Sequence, residues 1–288
     1  MVVLALPRSA RLAAWGTAVL ADAADPIAAI RAVTGDDEPH TLVAGESDDA
    51  ATPAPAPWDD PATTAVGAVP DLPPNAGLVD LFAVLVTLGA TGMRLVLPSP
   101  GDALGLPGPP WFNEVALEAG ECVLVPLGEG RGTLALVPQV TEFGSAAEPG
   151  AMVTWQVYGV RTPRVTELGG IAEADQELRT ALDRATRELA RLDVARWRED
   201  AADRLALIRD GGVEPGLLPP TTPQRCLRVL ATAARVQAIV ELAAEDDGGS
   251  VTGYEAGARN EALRDLERVS RRAVVAAVNG QLERLARP

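Results

Sequence analysis

The chain has 288 residues, enough for one large or two modest domains; 47% are apolar but only 3% aromatic, so a core would be built mainly of Ala, Val and Leu. All 25 basic residues are arginine and there is one histidine, which excludes lysine-dependent phosphate loops, Schiff-base catalysis and histidine-rich zinc sites within one chain. The net charge of −15 divides as −7 over residues 1–62, −6 over 63–168 and −2 over 169–288, so the N-terminal half repels phosphate backbones and no nucleic-acid partner is expected.

In chain order, Val2–Leu6 reads as a short strand and Arg8–Ala21 as a helix with Leu12, Trp15 and Val19 on one face. Trp15, Gly16 and Thr17 interrupt any secretory apolar core there, so the chain reads as cytoplasmic. A second helix follows Pro26, with Ile27, Ile30 and Val33 on one side. The acidic stretch Asp36-Asp37-Glu38-Pro39-His40 predicts a solvated loop histidine rather than a catalytic base. Residues 44–62, AGESDDAATPAPAPWDDPA, have the composition of a flexible tether.

Gly77 to Leu88 is apolar nearly all round, which predicts a helix buried against a sheet; it holds Asp80 and is too short to span a bilayer, so no membrane is expected. Strands are predicted at Met93–Leu97, Asn113–Glu118, Glu121–Val125, Thr133–Val140 and Met152–Val160. The last alternates cleanly, with Val153, Trp155 and Val157 on one face. Gly128-x-Gly-x-Gly132 lies before a strand, not a helix, and so reads as a hairpin turn instead of a dinucleotide loop. The picture for residues 1–168 is an antiparallel meander with helices on one face.

Residues 169–288 are helical in character. Leu178, Leu182, Ala185, Leu189 and Leu192 repeat at helical spacing, and Asp175/Arg179 and Asp183/Arg187 make i,i+4 pairs outside. The stripe then changes line to Val194, Trp197, Ala201, Leu205 and Ile208. Thr222-Pro223 opens an apolar helix to about Ala244, and a last helix covers Glu255–Leu285 with Leu263, Leu266, Ala273 and Ala277 inward. The fold class is therefore α+β, a meander followed by an antiparallel three-helix region.

Few constellations carry chemistry. Cys122 and Cys226 read as buried, reduced thiols, and the acid runs lack the ligand spacing of a calcium loop, so no metal or cofactor is expected. Arg264, Arg268, Arg271 and Arg272 form a stripe diluted by Asp265 and Glu267, which reads as a solvated face. The proline-rich loop Pro98–Pro110 brings Arg94, Asp102, Trp111 and Glu114 into consideration as a small-molecule or carboxylate-dependent site. The favoured expectation is a non-catalytic interaction or assembly protein, binding a protein partner or its own copies. Its helical half would present Val194, Trp197, Leu205 and Ile208 as the interface.

Overall fold

A computed structural model describes residues 6–46, 65–103, 105–145, 148–163, 169–192, 204, 206–208, 211–212, 214, 216–244 and 253–285. The predicted strand at Val2–Leu6 and the tether at 44–62 fall almost wholly outside these residues. The chain divides into two compact units, one holding Pro7–Leu168 with Gly216–Thr222 and Gln281–Pro288, the other Met1–Leu6, Gly169–Pro215 and Pro223–Gly280.

The first unit opens with helices α1 (Arg8–Leu20) and α2 (Pro26–Thr34). Asp25 starts α2 by accepting the Ala28 N–H at 2.9 Å, with Pro26 in the first turn where its missing N–H costs nothing. Strand β1 (Thr41–Ala44), helix α3 (Leu78–Thr87) and strand β2 (Arg94–Val96) follow. Then come helix α4 (Pro110–Ala119) and strands β3 (Cys122–Pro126), β4 (Thr133–Gly144) and β5 (Pro149–Val160). The sheet order is β1-β5-β4-β3-β2. Its last four strands form the expected antiparallel meander, whereas β1 pairs in parallel with β5, making the sheet mixed.

Two expectations are corrected. Asn113–Glu118 is the body of α4, not a strand: Pro110 begins the helix, Gly120 in the left-handed conformation ends it, and Phe112 and Ala116, four apart, are buried. They pack on Cys122, Leu124, Ala135, Val137 and Tyr158, one face of the sheet. The opposite face, with Leu95, Val123 and Leu136 in one row by register, receives α1. Helices therefore cover both faces, not one.

The segment Val66-Gly67 crosses the β4–β5 ladder backbone to backbone. Gly67 N–H donates to the Val160 carbonyl at 3.0 Å. A Cβ on Gly159 would meet the Gly67 oxygen at 1.8 Å, and one on Gly132 would meet the Gly67 nitrogen at 2.3 Å. No other residue fits there.

The second unit holds helices α5 (Ile171–Leu192) and α6 (Gln224–Ala244) and, as far as Gly280, helix α7 (Gly253–Leu285). Leu178 and Ala185 are buried on α5, and its two i,i+4 pairs are formed, Asp175 to Arg179 at 2.8 Å and Asp183 to Arg187. Leu263, Leu266, Ala273 and Ala277 are all buried on α7. The arginine stripe is not uniformly solvated: Arg271 is buried beside Glu267, and Arg268 pairs with Asp265. Among the described residues no helix is long and apolar enough to cross a membrane.

Candidate functional site

The densest polar constellation of the first unit lies where α1, the α2–β1 connection and β5 meet. Helix α1 begins with Arg8 and Arg11 and has no acid in its first turn, a poor match to the positive end of a helix. Tertiary structure supplies the missing charge twice. Glu121 accepts the Ser9 N–H at 2.8 Å, and Asp37 accepts two hydrogen bonds from Arg8, at 2.8 Å from Nε and 2.7 Å from Nη2. Arg11 reaches the same carboxylate at 3.5 Å.

His40 completes the network and is buried, which corrects the expectation of a solvated loop histidine. Its Nδ1 accepts the Trp155 indole N–H at 3.1 Å, and its Nε2 lies 3.3 Å from Asp37 Oδ2. An indole nitrogen is only ever a donor, so Nδ1 is the acceptor and the ring proton sits on Nε2, facing Asp37. Burial pushes the imidazole below its ordinary range, although Asp37 pulls the other way. For Asp37, burial works upward, but the Arg8 hydrogen bonds and the charges of Arg8 and Arg11 outweigh it and hold the carboxyl low. With both nitrogens engaged inside the fold, His40 has no lone pair or proton directed at a ligand. Its role is architectural.

Beside this network opens a cleft of about 490 Å³ lined by Asp36, Asp37, Glu142 and Phe143, with Gly144, Ser145 and Pro149 to Ala151. Asp36 and Glu142 are exposed, so the cleft favours cationic groups and repels anions. Among the described residues no three His, Cys, Asp or Glu side chains lie close enough to hold a metal ion. Cys122 and Cys226 are buried, and burial pushes the Cys122 thiol far up.

The residues singled out in the sequence are placed as follows. Trp111 opens α4 and packs against Phe112 and Tyr158, with ring centroids 6.0 and 5.8 Å apart. Asp102 is buried in a turn where its main chain exchanges hydrogen bonds with Ser99. Arg94 is half-buried on β2, and Glu114 is exposed on α4. Val194, Trp197 and Leu205 lie outside the described residues, while Ile208 is buried against Ala234 and Leu242 of α6. Sequence reasoning missed the Asp37–His40–Trp155 chain. A signal for it exists in Trp155, an inward position of an alternating strand whose indole N–H needs a buried acceptor.

The fold and site define an α+β protein of two units, with an ion-pair network and an acidic cleft in the first. Matches to the Rv1486c-like protein N-terminal domain over residues 9–168 and C-terminal domain over 172–275 show that the chain belongs to the Rv1486c-like protein family. "Uncharacterized protein Rv1486c" of Mycobacterium tuberculosis is 32% identical over 230 residues, covering 72% of this chain and 78% of the relative. "Uncharacterized protein ML1804" of Mycobacterium leprae is 28% identical over 203 residues, covering 66% and 68%. No solved structure matches the chain.

Proposed function

We propose that this protein works by association with other chains and performs no catalysis of its own. The observation that carries the reading is on α3, apolar nearly all round and predicted from sequence to be buried against a sheet. Leu78, Leu81, Phe82 and Leu85 are buried, yet Val79 and Val86 are 64% and 62% exposed, with exposed Ala83 between them. At spacing i, i+4, i+7 these three form one apolar stripe on the solvent side. Water disfavours such a stripe, and a partner that covers it is stabilised by the area removed from water.

The state of the reactive groups supports the same reading, since His40 and Asp37 are engaged in holding α1 to the sheet and both thiols are buried. The near charge balance of residues 169–288 favours association there too, with Val194, Trp197 and Leu205 as its candidates. Sedimentation of fluorescently labelled protein, alone and in extract of the source cells, tests this. Wild type is expected to sediment faster than a 29.9 kDa monomer in at least one condition. Val79→Asp/Val86→Asp or Trp197→Asp then returns it to the monomer rate with unchanged circular dichroism. Monomeric sedimentation of wild type in both conditions overturns the reading.

A further inference from the structure

We propose that the outer edge of β4 is a docking site for an extended, arginine- or lysine-bearing segment of another protein, added as a further strand. The argument begins with unequal strand lengths. β4 and β5 each run for 12 residues, but β3 pairs with β4 only as far as Leu136. Beyond that point β4 continues to Gly144 with β5 on one side and, among the described residues, no strand on the other. Every residue from Gln139 to Gly144 is exposed.

Such an edge is normally blunted by a bulge, a proline or a cationic side chain. Pro138 blunts only the start of this stretch: the β4–β5 register runs without a break from Thr133↔Val160 to Gly144↔Pro149, and Gln139–Gly144 contains no Pro, Lys or Arg. The other two edges of the sheet are short. β1 has four residues and its Leu42 N–H is taken by the Ala76 carbonyl, and β2 has three. Among the described residues, β4 beyond Leu136 is the longest stretch of strand with no strand on its outer side.

Charge and side chains state what would fit. Of the nearby acids, Glu142 stands on β4 itself and is exposed, and exposed Asp36 joins it in lining the acidic cleft that adjoins the end of the ribbon. On the face shared by alternate β4 residues, Phe143 and Met152 are 49% and 46% exposed, available to an apolar side chain of the incoming strand. Main-chain pairing gives affinity in this mode and alternate side chains give selectivity. A second copy of this chain is the poorer occupant. Antiparallel β4–β4 pairing about a two-fold axis draws the two copies of Glu142 into one short ladder, where like charges repel.

The test uses the full-length protein and a short synthetic peptide alternating arginine and valine. The peptide is expected to bind and to slow amide exchange within Gln139–Gly144. The same peptide N-methylated at alternate residues, which cannot complete a ladder, is expected not to bind. Asp36→Asn/Glu142→Gln should raise the Kd roughly tenfold, and added salt should weaken the wild-type complex. Val79→Asp/Val86→Asp should leave peptide binding unchanged, so that failure of the α3 stripe and failure of the β4 edge are read separately. No binding, equal binding of the N-methylated or an all-glutamate counterpart, protection elsewhere in the sheet, or a concentration-dependent dimer that itself protects Gln139–Gly144 overturns the proposal.

Discussion

The Trp155 indole N–H donates to His40 Nδ1 at 3.1 Å, joining two residues 115 positions apart inside the first unit. Trp155 is fully buried, so its donor has no access to water if His40 is lost. His40→Ala removes the acceptor and leaves a cavity. The cost expected is about 2 to 4 kcal/mol, read as a lower urea midpoint with unchanged slope. Trp155→Phe should also cost stability, because it leaves the buried His40 Nδ1 without its donor.

The same contact makes stability depend on pH. Burial holds the His40 pKa below its ordinary 6.5 in the folded chain. The unfolded chain therefore takes up a proton that the folded chain refuses. This contribution to stability is fully present above about pH 6.5 and is lost as pH falls below it. Protonation would also place N–H groups of His40 and Trp155 face to face. As His40 is the single histidine, the urea midpoint of wild type should fall between about pH 7.5 and 5.5 by more than that of His40→Gln. Glu121, whose carboxyl is pushed up by burial, acts in the opposite sense and is common to both proteins. Equal pH dependence in the two would refute the assignment.

Asp37 adds a second window. Its carboxyl is held below the ordinary value, so its contribution is present above about pH 4 and disappears as pH falls further. Because the Arg8–Asp37 pair is bidentate and Asp37 is only 10% exposed, an Arg8→Ala/Asp37→Ala double-mutant cycle should give a coupling of about 1 to 2 kcal/mol. Arg8→Lys should recover only part of it, since an ammonium cannot make both parallel contacts.

Gly159→Ala tests the backbone crossing. A methyl group there meets the Gly67 oxygen, which belongs to main chain and cannot rotate aside. Thermal unfolding should show a loss of at least about 2 kcal/mol or failure to fold. Gly212→Ala, where a Cβ meets nothing within 4 Å, is the matched control and should change little.

Thiol titration checks the core. Cys122 packs among Phe112, Leu124 and Ala135, and Cys226 is also buried. Neither should react with an aromatic disulfide reagent in the native protein, and both should react in urea. Rapid labelling of Cys122 without denaturant would show that the α4 face of the sheet opens.

The sequence by itself determined what is written in local periodicity and punctuation. Helices α1, α2 and α6, the alternating strand β5 and the hairpin at Gly128–Gly132 follow from spacing, caps and glycines, which act within a few residues. Some local signals were present but outweighed: Asn113–Glu118 looked extended, while Pro110 before it and Gly120 after it already marked a helix. Other features are decided only in three dimensions. The parallel β1–β5 pair joins residues more than a hundred positions apart, and periodicity carries no record of a partner. On α3, a helix apolar all round, only the placement of the sheet selects Leu81 and Leu85 for burial and leaves Val79 and Val86 in water. His40 is the sharpest case. Its neighbours in sequence are acidic and predict solvent, but Arg8 neutralises Asp37 from 29 residues away and Trp155 arrives from β5. Burial of a polar side chain depends on partners that satisfy it, and those partners are set by the tertiary fold.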